Sequence, residues 1–71
     1  MIEEFTHTNA QERVREDMAS AITALDFLAT SIGQLAALHE ADEEEGILTE
    51  GRVIAAKREM VKAVTGLLEA E

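Results

Sequence analysis

Four consecutive carboxylates, Asp42, Glu43, Glu44 and Glu45, with Glu40 just before them, form the densest group of potential ligands in the chain. A calcium loop of the EF-hand kind alternates its oxygen ligands about a central glycine and ends on a glutamate at about the twelfth position. A run of adjacent acids does not alternate in that way, so these residues read as a solvated turn. His39 and Glu43 stand four residues apart, a spacing that metal sites use on helices. No second pair joins them to complete a coordination shell, and His7 has no companion. No metal or cofactor is expected. Ser20 and Ser31 lack a histidine or lysine at a spacing that would activate them, there is no cysteine, and no glycine-rich phosphate loop occurs. Two neighbouring carboxylates are unavoidable in a chain with 15 acids, so they carry no argument for acid–base chemistry. The chain is not expected to be an enzyme.

Binding is the chemistry that remains. Asp26 is the sole formal charge between Met18 and Leu38, with Thr23 and Thr30 within one helical turn of it. On a central helix such a carboxylate needs a cation or hydroxyl partner, because an unpaired buried charge is costly. It reads either as a partly exposed residue or as a polar pin that sets register between protomers or meets a ligand. Arg52, Lys57, Arg58 and Lys62 gather four of the six basic residues, whereas residues 40–50 hold six acids. Those cations read as a solvated helix face, with anion binding at a subunit boundary as the functional alternative; only Arg52 and Arg58 could grip a phosphate bidentately.

The net charge of −9 excludes a reader of phosphate backbones, which requires a cationic footprint. At the start, Glu3 and Glu4 stand where a secretory leader would carry basic residues, so the cytoplasm is the expected compartment. A membrane span is not expected, since the apolar stretch after Val14 is diluted by Ala, Ser, Thr, Asp26 and Gln34.

The elements that must position these residues are helices. With no proline and with glycines at 33, 46, 51 and 66, the chain favours long helices broken once near the middle. Residues 1–8 are expected to form a flexible arm, with Ile2 and Phe5 able to fold back on the bundle. Thr8 followed by Gln11 fits a capping box that would start helix 1 at about 9 and run it to about 41. Along it Met18, Leu25 and Ile32 share one heptad position, and Val14, Ala21, Leu28 and Leu35 share another. Gly33 between Ala29 and Ala37 makes a stripe of small residues where another helix can approach closely. An acidic turn at 42–48, with Gly46 as the residue that ends helix 1, leads to helix 2 at about 49–69, capped by Thr49 or Glu50. The connection is short, so the fold expected over 9–71 is all-α: one antiparallel helical hairpin.

A chain of 71 residues buries only about 60% of its unfolded surface. Without disulfides or a structural metal, self-association is the remaining common means of stabilisation. A homo-oligomeric bundle is therefore expected, with Met18, Leu25, Leu28, Ile32, Leu35, Val53, Met60, Val64 and Leu67 at its interface. The function expected is that of a binding module that sequesters or inhibits a larger protein partner. Phe27, Asp26 and the acids Asp42, Glu43, Glu44 and Glu45 are its candidate contacts. Phe27 lies about 200° around the helix from Leu25 and cannot share its seam. The alternatives are an acidic mimic that occupies a nucleic-acid-binding protein, a binder of a nucleotide-like anion at subunit boundaries, and a purely structural assembly unit.

Overall fold

The computed structural model describes the backbone of residues 2–70 and the side chains of residues 9–70. It is a hairpin of two helices, α1 (Ile2–Ala37) and α2 (Glu43–Glu69), joined by residues 38–42. No strand occurs among the described residues. The helical backbone begins at Ile2 and so covers the segment read from sequence as an arm. Residues 2–8 contain neither glycine nor proline, so nothing in their sequence breaks a helix. The fold-back of Ile2 and Phe5 concerns side chains outside the described residues.

The break between the helices differs in detail from the sequence expectation. α1 stops at Ala37 because His39 adopts the left-handed conformation, with φ 60°. Its N–H donates to the carbonyl of Ala36 at 3.1 Å, and the N–H of Glu40 donates to the carbonyl of Leu35 at 3.0 Å. These two bonds are a Schellman closure, which satisfies carbonyls that a helix end otherwise leaves unpaired. Gly46 plays no part in ending α1. Asp42 caps α2 instead of Thr49 or Glu50: its carboxylate accepts the N–H of Glu45 at 2.9 Å. Glu43, Glu44 and Glu45 therefore form the first turn of α2, where their charge faces the positive end of the dipole.

Three facing pairs define how α1 and α2 meet. At the closed end Gly46 lies so near Ala36 that a Cβ built on it would stand 2.6 Å from the Ala36 Cβ. Further along, Gly33 faces the Glu50 carboxylate, 3.1 Å from a Cβ built there, and Lys57 Nζ donates to Asp26 Oδ1 at 2.7 Å. Seven residues back along α1, from Gly33 to Asp26, correspond to seven forward along α2, from Glu50 to Lys57. A shared step of seven is the repeat of left-handed antiparallel packing. The small-residue stripe is Ala29, Gly33 and Ala36, whereas Ala37 is exposed. Met18, Ile22, Leu25 and Ile32 are half-buried on α1, as are Val53, Ile54, Met60, Val61 and Val64 on α2.

This packing leaves little inside. Ala29 at 6% and Ala36 at 3% exposure are the buried apolar side chains among the described residues. The molecule measures 56 × 19 × 9 Å and exposes 5657 Å², against about 4300 Å² for a folded monomer of 7.7 kDa. Within α1, Asn9–Ala37 is also long and apolar enough to meet the length and composition of a membrane span.

Candidate interaction surfaces

Two flanks run along the α1–α2 contact, and the facing pairs tell them apart. At 100° per residue, Asp26 and Gly33 sit on one side of the line through Ala29 and Ala36, and Leu28 and Leu35 sit on the other. On α2, Glu50 and Lys57 meet Gly33 and Asp26, so Ile54 and Val61, which share their side of the helix, belong to the same flank. Ala56, Met60, Ala63 and Leu67 fall on the opposite side and join Leu28 and Leu35.

The flank bearing Asp26 is marked by charge. Its ion pair with Lys57 leaves the side chains 57% and 25% exposed respectively, and Thr30 Oγ1 donates to the Asp26 carbonyl at 3.0 Å. The carboxylate read as a polar pin thus has its cation on the other helix of the same chain. The other flank is made of Ala21, Leu25, Leu28, Ile32 and Leu35 from α1, with Thr49, Val53, Ala56, Met60, Ala63 and Leu67 from α2. None of these carries a charge, and Leu28, Leu35 and Leu67 are exposed, Leu67 at 63%. Of the residues read as an oligomer seam, Met18, Leu25, Ile32, Val53, Met60 and Val64 are half-buried in the hairpin itself. Leu28, Leu35 and Leu67 remain open.

The turn end is a second surface. Leu38, Ile47 and Leu48 are exposed there, interleaved with Glu40, Asp42, Glu43, Glu44 and Glu45, which are exposed as well. Phe27, at 70% exposure, stands apart on the back of α1, and Ala24, Ser31 and Gln34 around it are exposed.

The cations of α2 do not converge. Lys57 is engaged by Asp26, and Lys62 approaches Glu59 at 3.9 Å with both side chains open to solvent. Arg58 and Lys62 are one turn apart, whereas Arg52 lies about 120° from Arg58 around the helix. His39 Nδ1 and Glu43 Oε2 are 3.8 Å apart and exposed. No group of three or more potential metal ligands assembles among the described residues.

Sequence reasoning missed Asp42 as a cap, although Asp42 followed three residues later by Glu45 has the capping-box spacing. It also missed Lys57 as the partner of Asp26, which no local pattern signals across 31 residues. Comparison with protein-family models, with curated proteins and with solved structures finds no match to this chain, so function must be argued from these surfaces.

Proposed function

We propose that the protein is a small non-catalytic helical module that self-associates and binds, and thereby sequesters or inhibits, a larger protein partner. The observation that carries this reading is exposure: Phe27, Leu28, Leu35, Leu38, Ile47, Leu48 and Leu67 all stand open on a hairpin whose buried apolar side chains, among the described residues, are two alanines. Apolar surface on that scale marks sites of protein association. The uncharged flank suits self-association, and the turn end and Phe27 suit a different partner. Leu38, Ile47 and Leu48 set among carboxylates match an apolar pocket with a basic rim. That mixture favours a protein pocket over a groove that reads phosphates, where an acidic mimic would dock through charge alone. The acids also steer such a partner, so its association rate should fall as salt rises.

The test uses the immobilised full chain and extract of its native host, with bound protein identified by mass spectrometry. Phe27→Ala and Leu48→Ala are each compared with the parent chain for partner retention and for oligomer mass. The expected result is a loss of retention of about tenfold or more in at least one variant, the scale of a hot-spot truncation, with the mass unchanged. Full retention in both overturns the assignment of these residues. If Phe27→Ala dissolves the oligomer, α1 is enclosed on both sides, and partner binding moves to α2 or the acidic turn end.

A further inference from the structure

We infer that a second copy of this chain covers the uncharged flank, giving a four-helix dimer that leaves Asp26, Lys57 and Phe27 outside the contact. The inference rests on the proposed function only in taking the chain to self-associate, and it names the surface that does so. The first argument is area. Summed over the whole chain the hairpin exposes 5657 Å², about 1300 Å² more than a folded monomer of its mass, which is the kind of excess that an interface taking roughly 800 Å² from each partner would reduce.

The second argument is charge. A chain carrying −9 repels its own copies wherever acids would meet, and the uncharged flank is the broad surface where they do not. It extends from Leu35 to Ala21 on α1, about 21 Å at the rise of a helix, with Arg52 along its edge, Glu45 beyond its turn end and Asp17 closing it at the far end. The opposite flank presents Asp26 and Lys57, whose ion pair a second copy would have to desolvate. The third argument is periodicity. Both helices already step in sevens across their contact, so Leu28 and Leu35 on α1 recur at the same repeat as Met60 and Leu67 on α2. Two such hairpins can interlock along their length at the shallow crossing angle of four-helix bundles.

The chain has no cysteine, so single thiols can report which flank is covered. Ala19, Ala55, Ala56 and Ala63 are all exposed in the hairpin; Ala56 and Ala63 lie on the uncharged flank, and Ala19 and Ala55 lie off it. Each is replaced by cysteine in the purified full chain, helicity is checked by circular dichroism, and reaction with a bulky maleimide is timed. Sedimentation equilibrium measures mass in parallel. Expected are a species of twice 7.7 kDa and labelling of Ala56→Cys and Ala63→Cys at least tenfold slower than Ala19→Cys and Ala55→Cys. A monomer at all concentrations, equal labelling of the four thiols, or protection of Ala19→Cys or Ala55→Cys instead overturns the inference. So does protection of Ala56→Cys and Ala63→Cys that arises only when phosphatidylcholine vesicles are added, since the flank would then be a lipid surface. No partner is present in this experiment, so its failure leaves partner binding through Phe27 or Leu48 standing. Full partner retention in Phe27→Ala and Leu48→Ala likewise leaves the dimer face intact, whereas an oligomer dissolved by Phe27→Ala overturns it.

Discussion

Gly46 and Gly51 lie five residues apart on α2, and the same substitution at each should move stability in opposite directions. Replacing an interior helical glycine by alanine gains about 1 kcal/mol from backbone entropy and propensity. At Gly51 nothing lies within 4 Å of the added Cβ, so Gly51→Ala is expected to stabilise by about 0.5–1 kcal/mol. At Gly46 the added Cβ would stand 2.6 Å from the Ala36 Cβ, where carbon atoms prefer about 3.5–4 Å. The helices must part by about 1 Å at their closed end, an overpacking that costs about 1–3 kcal/mol. Gly46→Ala should therefore lose up to about 2 kcal/mol net. Beyond the Ala36 Cβ, the next atoms are the Ala36 Cα at 3.6 Å and the Ile32 carbonyl at 3.9 Å, both ordinary contacts. Adding Ala36→Gly should therefore restore stability to near that of the parent chain, with a coupling of about 1–3 kcal/mol between the two sites. Urea titrations followed by circular dichroism at 222 nm measure the parent chain, Gly51→Ala, Gly46→Ala, Ala36→Gly and the double variant, with chain concentration fixed because association would shift the midpoint. A Gly46→Ala protein as stabilised as Gly51→Ala, or a coupling near zero, would refute the close approach.

Three further outcomes test other parts of the fold. Asp42→Ala removes the cap of α2 and should cost about 0.5–2 kcal/mol, with Asp42→Ser retaining most of the stability. A double-mutant cycle on Asp26→Asn and Lys57→Met should return no more than about 1 kcal/mol, because the carboxylate is more than half exposed, and the coupling should shrink in about 1 M salt. Leu25→Ala and Ile32→Ala should each cost about 2–5 kcal/mol, whereas Glu44→Gln, in the exposed first turn of α2, should cost less than about 1 kcal/mol. Leu25 and Ile32 are only half-buried in one hairpin, so losses below about 2 kcal/mol would mean that no second copy covers them.

The helical hairpin was legible because periodicity and helix breakers are local. Met18, Leu25 and Ile32 recur every seven residues, and no proline interrupts them. The details of the break were harder, because glycine has two uses that sequence does not separate. It can take a left-handed backbone at a helix end, or it can omit a side chain where another helix passes. Gly46 serves the second use, and His39 takes the left-handed position. Ala36 and Ala37 are likewise not separable in the sequence, since the direction of α2 across α1 depends on a register that only the facing pairs reveal. The Asp26–Lys57 pair depends on the same register. The open flank was partly visible in Leu28, Leu35 and Leu67, but its freedom from charge emerges only when both helices are laid side by side.

The left-handed residue at the turn bears on chain exchange between molecules. A β-carbon makes that conformation less favourable by roughly 1–2 kcal/mol, and His39 is the described non-glycine residue that adopts it. If residues 38–42 straightened, α1 of one chain could pack on α2 of another through the same Ala36–Gly46 and Asp26–Lys57 contacts, a domain swap that preserves every interhelix interaction. The helix faces do not discriminate between the closed and exchanged forms. That choice falls to the five linking residues, where the strain at His39 favours opening and the Asp42 cap with the Schellman bonds favours closure. His39→Gly should therefore shift the balance towards the intramolecular hairpin, and a helix-favouring substitution such as His39→Ala should shift it towards exchange.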